Sequence, residues 1–226
     1  EYNAGRGFFA LRDAELAEVV APVGVFGDLA VGGDGRLVAA YSDGSAHGIL
    51  VFHLRRRWQM NLALAGPVVR AAVDDDSRIW CATDGVLLVC SGEPLPHRYR
   101  SSAARFEPEV VNPRPLRTVA SYALPVGFRP LALCVDGGRA VLLMRDAADA
   151  QAIFERPRGE SARIALRRYE IDVALPFAVD LGRVRDNRFA ALCLREPGDA
   201  EFGRRDCPVL ELEWDEAAGR GAARLV

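Results

Sequence analysis

The residues whose types suit metal binding or nucleophilic chemistry are few. They are three histidines (His47, His53 and His97), five cysteines (Cys81, Cys90, Cys134, Cys193 and Cys207) and the acidic run Asp74-Asp75-Asp76. Zinc sites need Cys and His at close spacing, such as C-x-x-C or H-x-x-x-H. Neither spacing occurs, and His53 falls inside the apolar run Ile49–Leu54. The acidic run lacks the spacing and the bidentate glutamate of a calcium loop, so it reads as a solvated turn. No G-x-S-x-G phrase surrounds a serine, and Ser42, Ser77 and Ser91 have no histidine at a spacing that signals a dyad. The phrase Val31-Gly32-Gly33-Asp34-Gly35-Arg36 is glycine-rich but lacks G-x-G-x-x-G. All 29 basic residues are arginine. Lysine Schiff-base and Ser–Lys chemistry are therefore outside the reach of these residues. The expectation is a chain without catalytic residues, metal ligands or a cofactor. The sharpest basic run, Arg55-Arg56-Arg57-Trp58, combines guanidinium groups with an indole and is the candidate partner-binding surface.

The chain that carries these residues has 226 positions, half of them apolar, with a formal net charge of −2. That composition belongs to a folded globular protein. Near-neutral charge gives no electrostatic reason for a nucleic-acid or anionic-membrane partner, so a protein partner is expected instead. Widely spaced cysteines, odd in number and mostly inside apolar runs, argue against a disulfide framework and for a reducing compartment. The first residues, Glu1-Tyr2-Asn3, carry no basic and apolar leader, so a cytoplasmic location is expected. The apolar end Leu225-Val226 suggests a piece of a longer chain.

Apolar residues come in short bursts: Leu37–Tyr41, Ile49–Leu54, Ile79–Thr83, Val86–Cys90, Leu131–Val135, Ala140–Met144, Phe189–Leu194 and Val209–Trp214. They are rich in β-branched and aliphatic residues and punctuated by Gly, Asp, Asn or Pro, which is the pattern of strands. One stretch, Phe9 to Val20, has helical spacing, and Asp146 to Ala152 fits either a helix or a hairpin tip. Turn chemistry recurs at Gly33-Asp34-Gly35, Asp74–Ser77, Asp84-Gly85, Asp136-Gly137-Gly138 and Asp186-Asn187.

These turns mark a repeat. Segments 28–54, 70–92, 130–157 and 176–215 each run small-apolar strand, acidic turn, aliphatic strand, turn, aliphatic strand. Asp34, Asp75, Asp136 and Asp186 sit at corresponding turns, about 40 to 60 residues apart, where four-stranded blades repeat at about 40–50. Between the second and third units, 93–117 holds Pro94, Pro96, Pro108, Pro113 and Pro115 and reads as an extended connector. A unit of this kind cannot bury both faces alone and must stack on its neighbours. The fold expected is all-β, a single β-propeller or partial propeller of four-stranded antiparallel blades. A β-sandwich is the alternative. Trp80 and Trp214 fall within strands and are expected to pack between blades.

Three phrases carry a family resemblance: Gly48–Leu54, Leu124–Phe128 (L-P-V-G-F) and Asp136–Arg139 (D-G-G-R) before an aliphatic strand. In this the chain resembles propeller-bearing tail proteins of bacterial contractile injection systems and phage-tail-like particles. It departs from them at Ile49, where that group has Leu. It is similar also to bacterial propeller domains encoded beside a MoxR-type ATPase. Both resemblances imply a non-enzymatic scaffold or protein-binding module, and neither carries a catalytic residue onto this chain. The rival functions are a propeller hydrolase or sugar dehydrogenase with a channel metal, and a ligand-binding sensor domain.

Overall fold

The computed structural model describes residues 7–12, 15–20, 25–42, 47–53, 58–91, 101–102, 105–106, 117–158, 166–171, 177–185, 188–194, 209–215 and 220–225. Every regular element among them is a strand. The first part of the chain holds β1 (Gly7–Arg12), β2 (Glu15–Val20), β3 (Val25–Val31), β4 (Arg36–Ser42), β5 (His47–His53), β6 (Trp58–Leu64), β7 (Arg70–Val73), β8 (Ile79–Ala82) and β9 (Val86–Ser91). Then come β10 (Ser101–Ser102), β11 (Arg105–Phe106), β12 (Arg117–Ala123), β13 (Phe128–Asp136), β14 (Arg139–Asp146), β15 (Gln151–Arg156) and β16 (Arg167–Arg168). The last are β17 (Glu170–Ile171), β18 (Phe177–Arg185), β19 (Arg188–Leu194), β20 (Val209–Asp215) and β21 (Arg220–Leu225).

The apolar bursts land on these strands, and the fold is all-β, built of several small sheets. Their orders are β3-β4-β5-β6, β12-β9-β8-β7, β13-β14-β15-β16 and β17-β21-β20-β19-β18, with two-stranded pairs β1-β2 and β10-β11. Neighbours such as β4 with β5 and β13 with β14 run antiparallel, whereas β17 and β21 run parallel. Segment 93–117, read as a connector, contains the pair β10-β11 and otherwise lies outside the described residues until β12 begins.

The helical spacing of Phe9 to Val20 does not make a helix. The stretch is a hairpin in which Phe8 faces Val19 and Arg12 faces Glu15. A helix this short gains little from propagation, whereas aromatic and β-branched residues favour the pleated form. Asp146 to Ala152 is a hairpin tip. The Asp146 carboxylate accepts the backbone N–H groups of Ala148 and Ala150, both at 2.9 Å. Asp149 takes a positive φ of 63° there, a conformation that Asp tolerates better than most residues.

Backbone contacts divide the chain into two compact units, Glu1–Thr83 with Val89–Val119, and Asp84–Leu88 with Ala120–Val226. In the first unit β3 and β4 pack beside β7. The Asp28 carboxylate accepts the N–H of Ala71 at 2.7 Å, which ties β3 to β7. Gly32 is required at the end of β3, because a Cβ there would come within 2.8 Å of Val73 Cγ1. In the second unit β13 packs beside β18. The Gln151 amide holds Ala178 in both directions, accepting its N–H at 2.6 Å and donating to its carbonyl at 2.9 Å. The core of this unit sets Leu143 and Ile153 with Phe189, Ala191, Leu210 and Leu212. Each fully buried aliphatic or aromatic side chain of this kind contributes about 1.5–3 kcal/mol.

Candidate functional site

Turn carboxylates organise both units. In the first, Asp34 Oδ2 meets Arg36 Nε at 2.7 Å and accepts the Ser77 hydroxyl at 2.7 Å. Arg36 in turn donates to the Ser77 carbonyl at 3.0 Å. Ser77 sits at a φ of 61°, and these bonds compensate the strain of that left-handed backbone. Asp74 is almost fully buried. It accepts the indole N–H of Trp80 at 2.8 Å and both the backbone N–H and Nε of Arg78 at 2.9 Å. The expected solvated acidic turn is thus corrected at Asp74, because indole and guanidinium donors replace the water it would otherwise need. Asp76 pairs with the same guanidinium at 2.5 Å.

The second unit concentrates arginine around the β13–β14 turn. Asp136 is 2% exposed and holds two guanidiniums, Arg158 Nη2 and Arg183 Nη2, each at 3.1 Å. Gly137 and Gly138 close the turn with φ of 50° and 80°, as a two-residue hairpin loop requires. A Cβ at Gly137 would meet Arg158 Nη2 at 3.2 Å, so this guanidinium lies against bare backbone. One residue beyond the turn, buried Arg139 pairs with buried Glu155 and donates to the Tyr169 hydroxyl at 3.0 Å. Its guanidinium also stands over the Phe189 ring at 5.0 Å. Buried Arg156 donates to the Gly138 carbonyl and, at 2.7 Å, to the Tyr122 hydroxyl, over whose ring it stands at 4.7 Å.

Burial, followed by the nearby Glu155 charge, pushes the Tyr169 hydroxyl well above the ordinary tyrosine range. Burial, followed by the Asp136 charge, pushes the Cys134 thiol up to about 11. Burial alone raises Cys193 to about 11. These thiols are protonated at neutral pH and are poor nucleophiles. Cys81 and Cys90 are buried free thiols as well.

Two features that the reading of the sequence missed emerge from the geometry. Ser42 and His47 are cross-strand partners at the end of the β4–β5 ladder, with Oγ 2.8 Å from Nδ1. Their five-residue separation hid this pairing in the sequence. The second is the arginine that follows each turn, Arg36, Arg78, Arg139 and Arg188. Each has a carboxylate partner, which for Arg188 is Glu211 at 3.0 Å. The phrases Gly35-Arg36, Ser77-Arg78, Gly138-Arg139 and Asn187-Arg188 were the available signal.

Of the proposed binding surface, Arg55, Arg56 and Arg57 lie outside the described residues, and Trp58 opens β6 opposite His53. His97, Cys207 and the turn Asp186-Asn187 also lie outside them. Trp80 is buried in β8, and Trp214 pairs with Gly221 in the β20–β21 ladder. Among the described residues no group of three or more His, Cys, Asp or Glu is placed to hold a metal ion. No described helix is long and apolar enough to cross a membrane.

No protein family matches the sequence, and no curated protein does. Solved structures do match in fold. A functionally unknown protein from Desulfotomaculum acetoxidans matches with a TM-score of 0.53 at 12% identity, over 96% of this chain and 61% of that one. Hsv2p of Kluyveromyces lactis matches at 0.52 and 12% identity, over 100% and 73%. A chain of the nidogen/laminin complex matches at 0.50 and 13% identity, over 98% and 96%. The chain spans about three-fifths of the length of the Desulfotomaculum protein. At these identities the likeness is one of fold, and the fold it shows is all-β.

Proposed function

We propose that this chain is a binding module, built on a propeller-like succession of small sheets, that holds a ligand or a protein partner without transforming it. One observation carries the reading. Within each unit the first strand of one sheet packs beside the first strand of the next, β3 by β7 and β13 by β18. From those strands each sheet runs on as an antiparallel meander in chain order, and the sheet of β18 to β21 is closed at its far edge by β17, an earlier strand that pairs parallel with β21. That arrangement suits blades around an axis, and an aligned sandwich also brings two sheets face to face. Burial of Cys81, Cys90 and Cys193 and the pairing of buried Glu155 with Arg139 fit a scaffold better than a reactive centre. The fold it shares with a chain of the nidogen/laminin complex occurs there in a protein–protein assembly. A place in a phage-tail-like particle, implied by the phrases in β5 and in the two turns, is one setting for such a module and belongs to this proposal.

Substrate assays test it. Purified protein is offered lactone, ester and sugar substrates with and without added calcium or zinc, beside a Ser42→Ala variant. The expected result is no turnover above buffer in any arm. Metal-dependent turnover, or ester cleavage lost in Ser42→Ala, would replace the module by a hydrolase or dehydrogenase.

A further inference from the structure

We propose that Cys81 and Cys90 are an oxidisable pair, which a peroxide joins in a disulfide that fastens β8 to β9. The link adds a bond to the scaffold and turns over no substrate, so it stands apart from the binding-module reading. The two sulfurs come from neighbouring strands of the sheet β12-β9-β8-β7. Both residues are free thiols, 0% and 1% exposed. The Cys81 thiol shares a hydrogen bond with Cys90, and Cys90 shares a second with the side chain of Thr118 on β12. Three side chains thus make a row, Thr118, Cys90 and Cys81, across β12, β9 and β8. Neighbouring strands lie about 4.8 Å apart, within the span of about 4.4–6.8 Å between Cα atoms that a disulfide requires. Two thiols already in hydrogen-bonding contact on such strands need little movement to bond. Cys193, in the other unit, turns its thiol to the Ala191 carbonyl instead.

The row sets the order of attack. β12 is the edge strand of the sheet and Thr118 is exposed on it, so an oxidant arriving there meets Cys90 before Cys81. The hydrogen bond from Cys81 holds Cys90 below the ordinary thiol range, against the opposing effect of burial, and Thr118 adds to the lowering. Burial, followed by the same hydrogen bond, keeps Cys81 protonated. The Cys90 thiolate attacks the peroxide. An S–O bond forms, the O–O bond breaks, and the departing hydroxide takes up the proton that Cys90 released, leaving a sulfenic acid and water. The Cys81 sulfur then attacks the Cys90 sulfur. The S–S bond forms, the S–O bond breaks, and hydroxide leaves with the Cys81 proton as a second water.

Folded protein is treated with hydrogen peroxide, alkylated, and mapped by mass spectrometry without reduction. The expected result is the loss of two of the five thiols, with the peptides carrying Cys81 and Cys90 joined and both thiols recovered in dithiothreitol. Cys134 and Cys193, held at about 11, are expected to stay reduced at the same dose. Thr118→Val removes one hydrogen bond to the Cys90 sulfur and is expected to slow the loss about fivefold. Cys90→Ala is expected to leave Cys81 reduced. Cys81 and Cys90 both recovered as thiols, oxidised without being joined to each other, or joined only after unfolding in urea, would overturn the pair. Loss of Cys134 and Cys193 at the same rate would overturn its selectivity. An unchanged rate in Thr118→Val, or oxidation of Cys81 in Cys90→Ala, would overturn the attack by Cys90.

Discussion

Asp74 and Asp136 occupy corresponding turns, each between the first and second strand of a four-stranded sheet, and each is nearly fully buried, 4% and 2% exposed. Their partners differ. Asp74 is satisfied by an indole N–H, a backbone N–H and one guanidinium from its own turn and strand. Asp136 is satisfied by two guanidiniums, those of Arg158 and Arg183, from distant parts of the chain and both partly in solvent. The first arrangement fastens a turn to its strand. The second presents cations at the surface. A buried carboxylate therefore acts as a clamp or as a mount according to whether its donors are enclosed or exposed.

Removing each carboxylate in turn separates the two roles most strongly. Asp74→Ala leaves the buried Trp80 N–H without its acceptor and strands Arg78, and should cost about 3–5 kcal/mol in urea unfolding. Asp136→Ala lets Arg158 and Arg183 turn into water and should cost about 1 kcal/mol, since partly exposed pairs are screened. Equal losses would erase the distinction. The enclosed pair Arg139–Glu155 should behave like Asp74. Arg139→Met strands a buried carboxylate and should cost about 3 kcal/mol, while Arg139→Met with Glu155→Leu should recover most of it. A double variant no more stable than the single one would show that the hydrogen bond to Tyr169 matters more than the pair's charge.

Smaller effects should follow pH. Cys134 and Cys193 are raised to about 11 in the folded protein and Tyr169 still further, all chiefly by burial. A raised folded value means that the unfolded chain releases these protons first. Their contribution is therefore intact below about pH 9 and is lost as pH climbs towards 11. Unfolding midpoints between about pH 7 and 10.5 should show this decline, and Cys193→Ala should flatten it. The smallest effect is expected at the exposed Arg224, whose bond to Glu211 lowers the glutamate's proton affinity. Arg224→Ala should leave the unfolding midpoint unchanged, and a measurable drop would show that surface ion pairs contribute to this sheet.

The strands were legible because their bursts are short and bounded by turn residues, and Leu131–Val135 and Ala140–Met144 fall inside β13 and β14. Asp136-Gly137-Gly138 was legible as a turn for the same local reason, since positive φ favours glycine. The hairpin at Phe9 to Val20 was not, because a spacing of three and four in a short stretch does not separate helix from strand. The site was hidden for a different reason. Arg158 and Arg183 lie far from Asp136 and from each other in the sequence, and only the folded chain brings both to that carboxylate. Arg55–Trp58 drew attention as a contiguous run, whereas the arginine cluster of the second unit is assembled from separate strands and turns.

Asp136→Asn and Asp74→Asn, unfolded in urea side by side, decide between mount and clamp at Asp136. Stability of Asp136→Asn within about 1 kcal/mol of wild type, beside a loss of about 3 kcal/mol for Asp74→Asn, is the expected result for a mount. A loss at Asp136→Asn as large as that at Asp74→Asn would make Asp136 a clamp like Asp74.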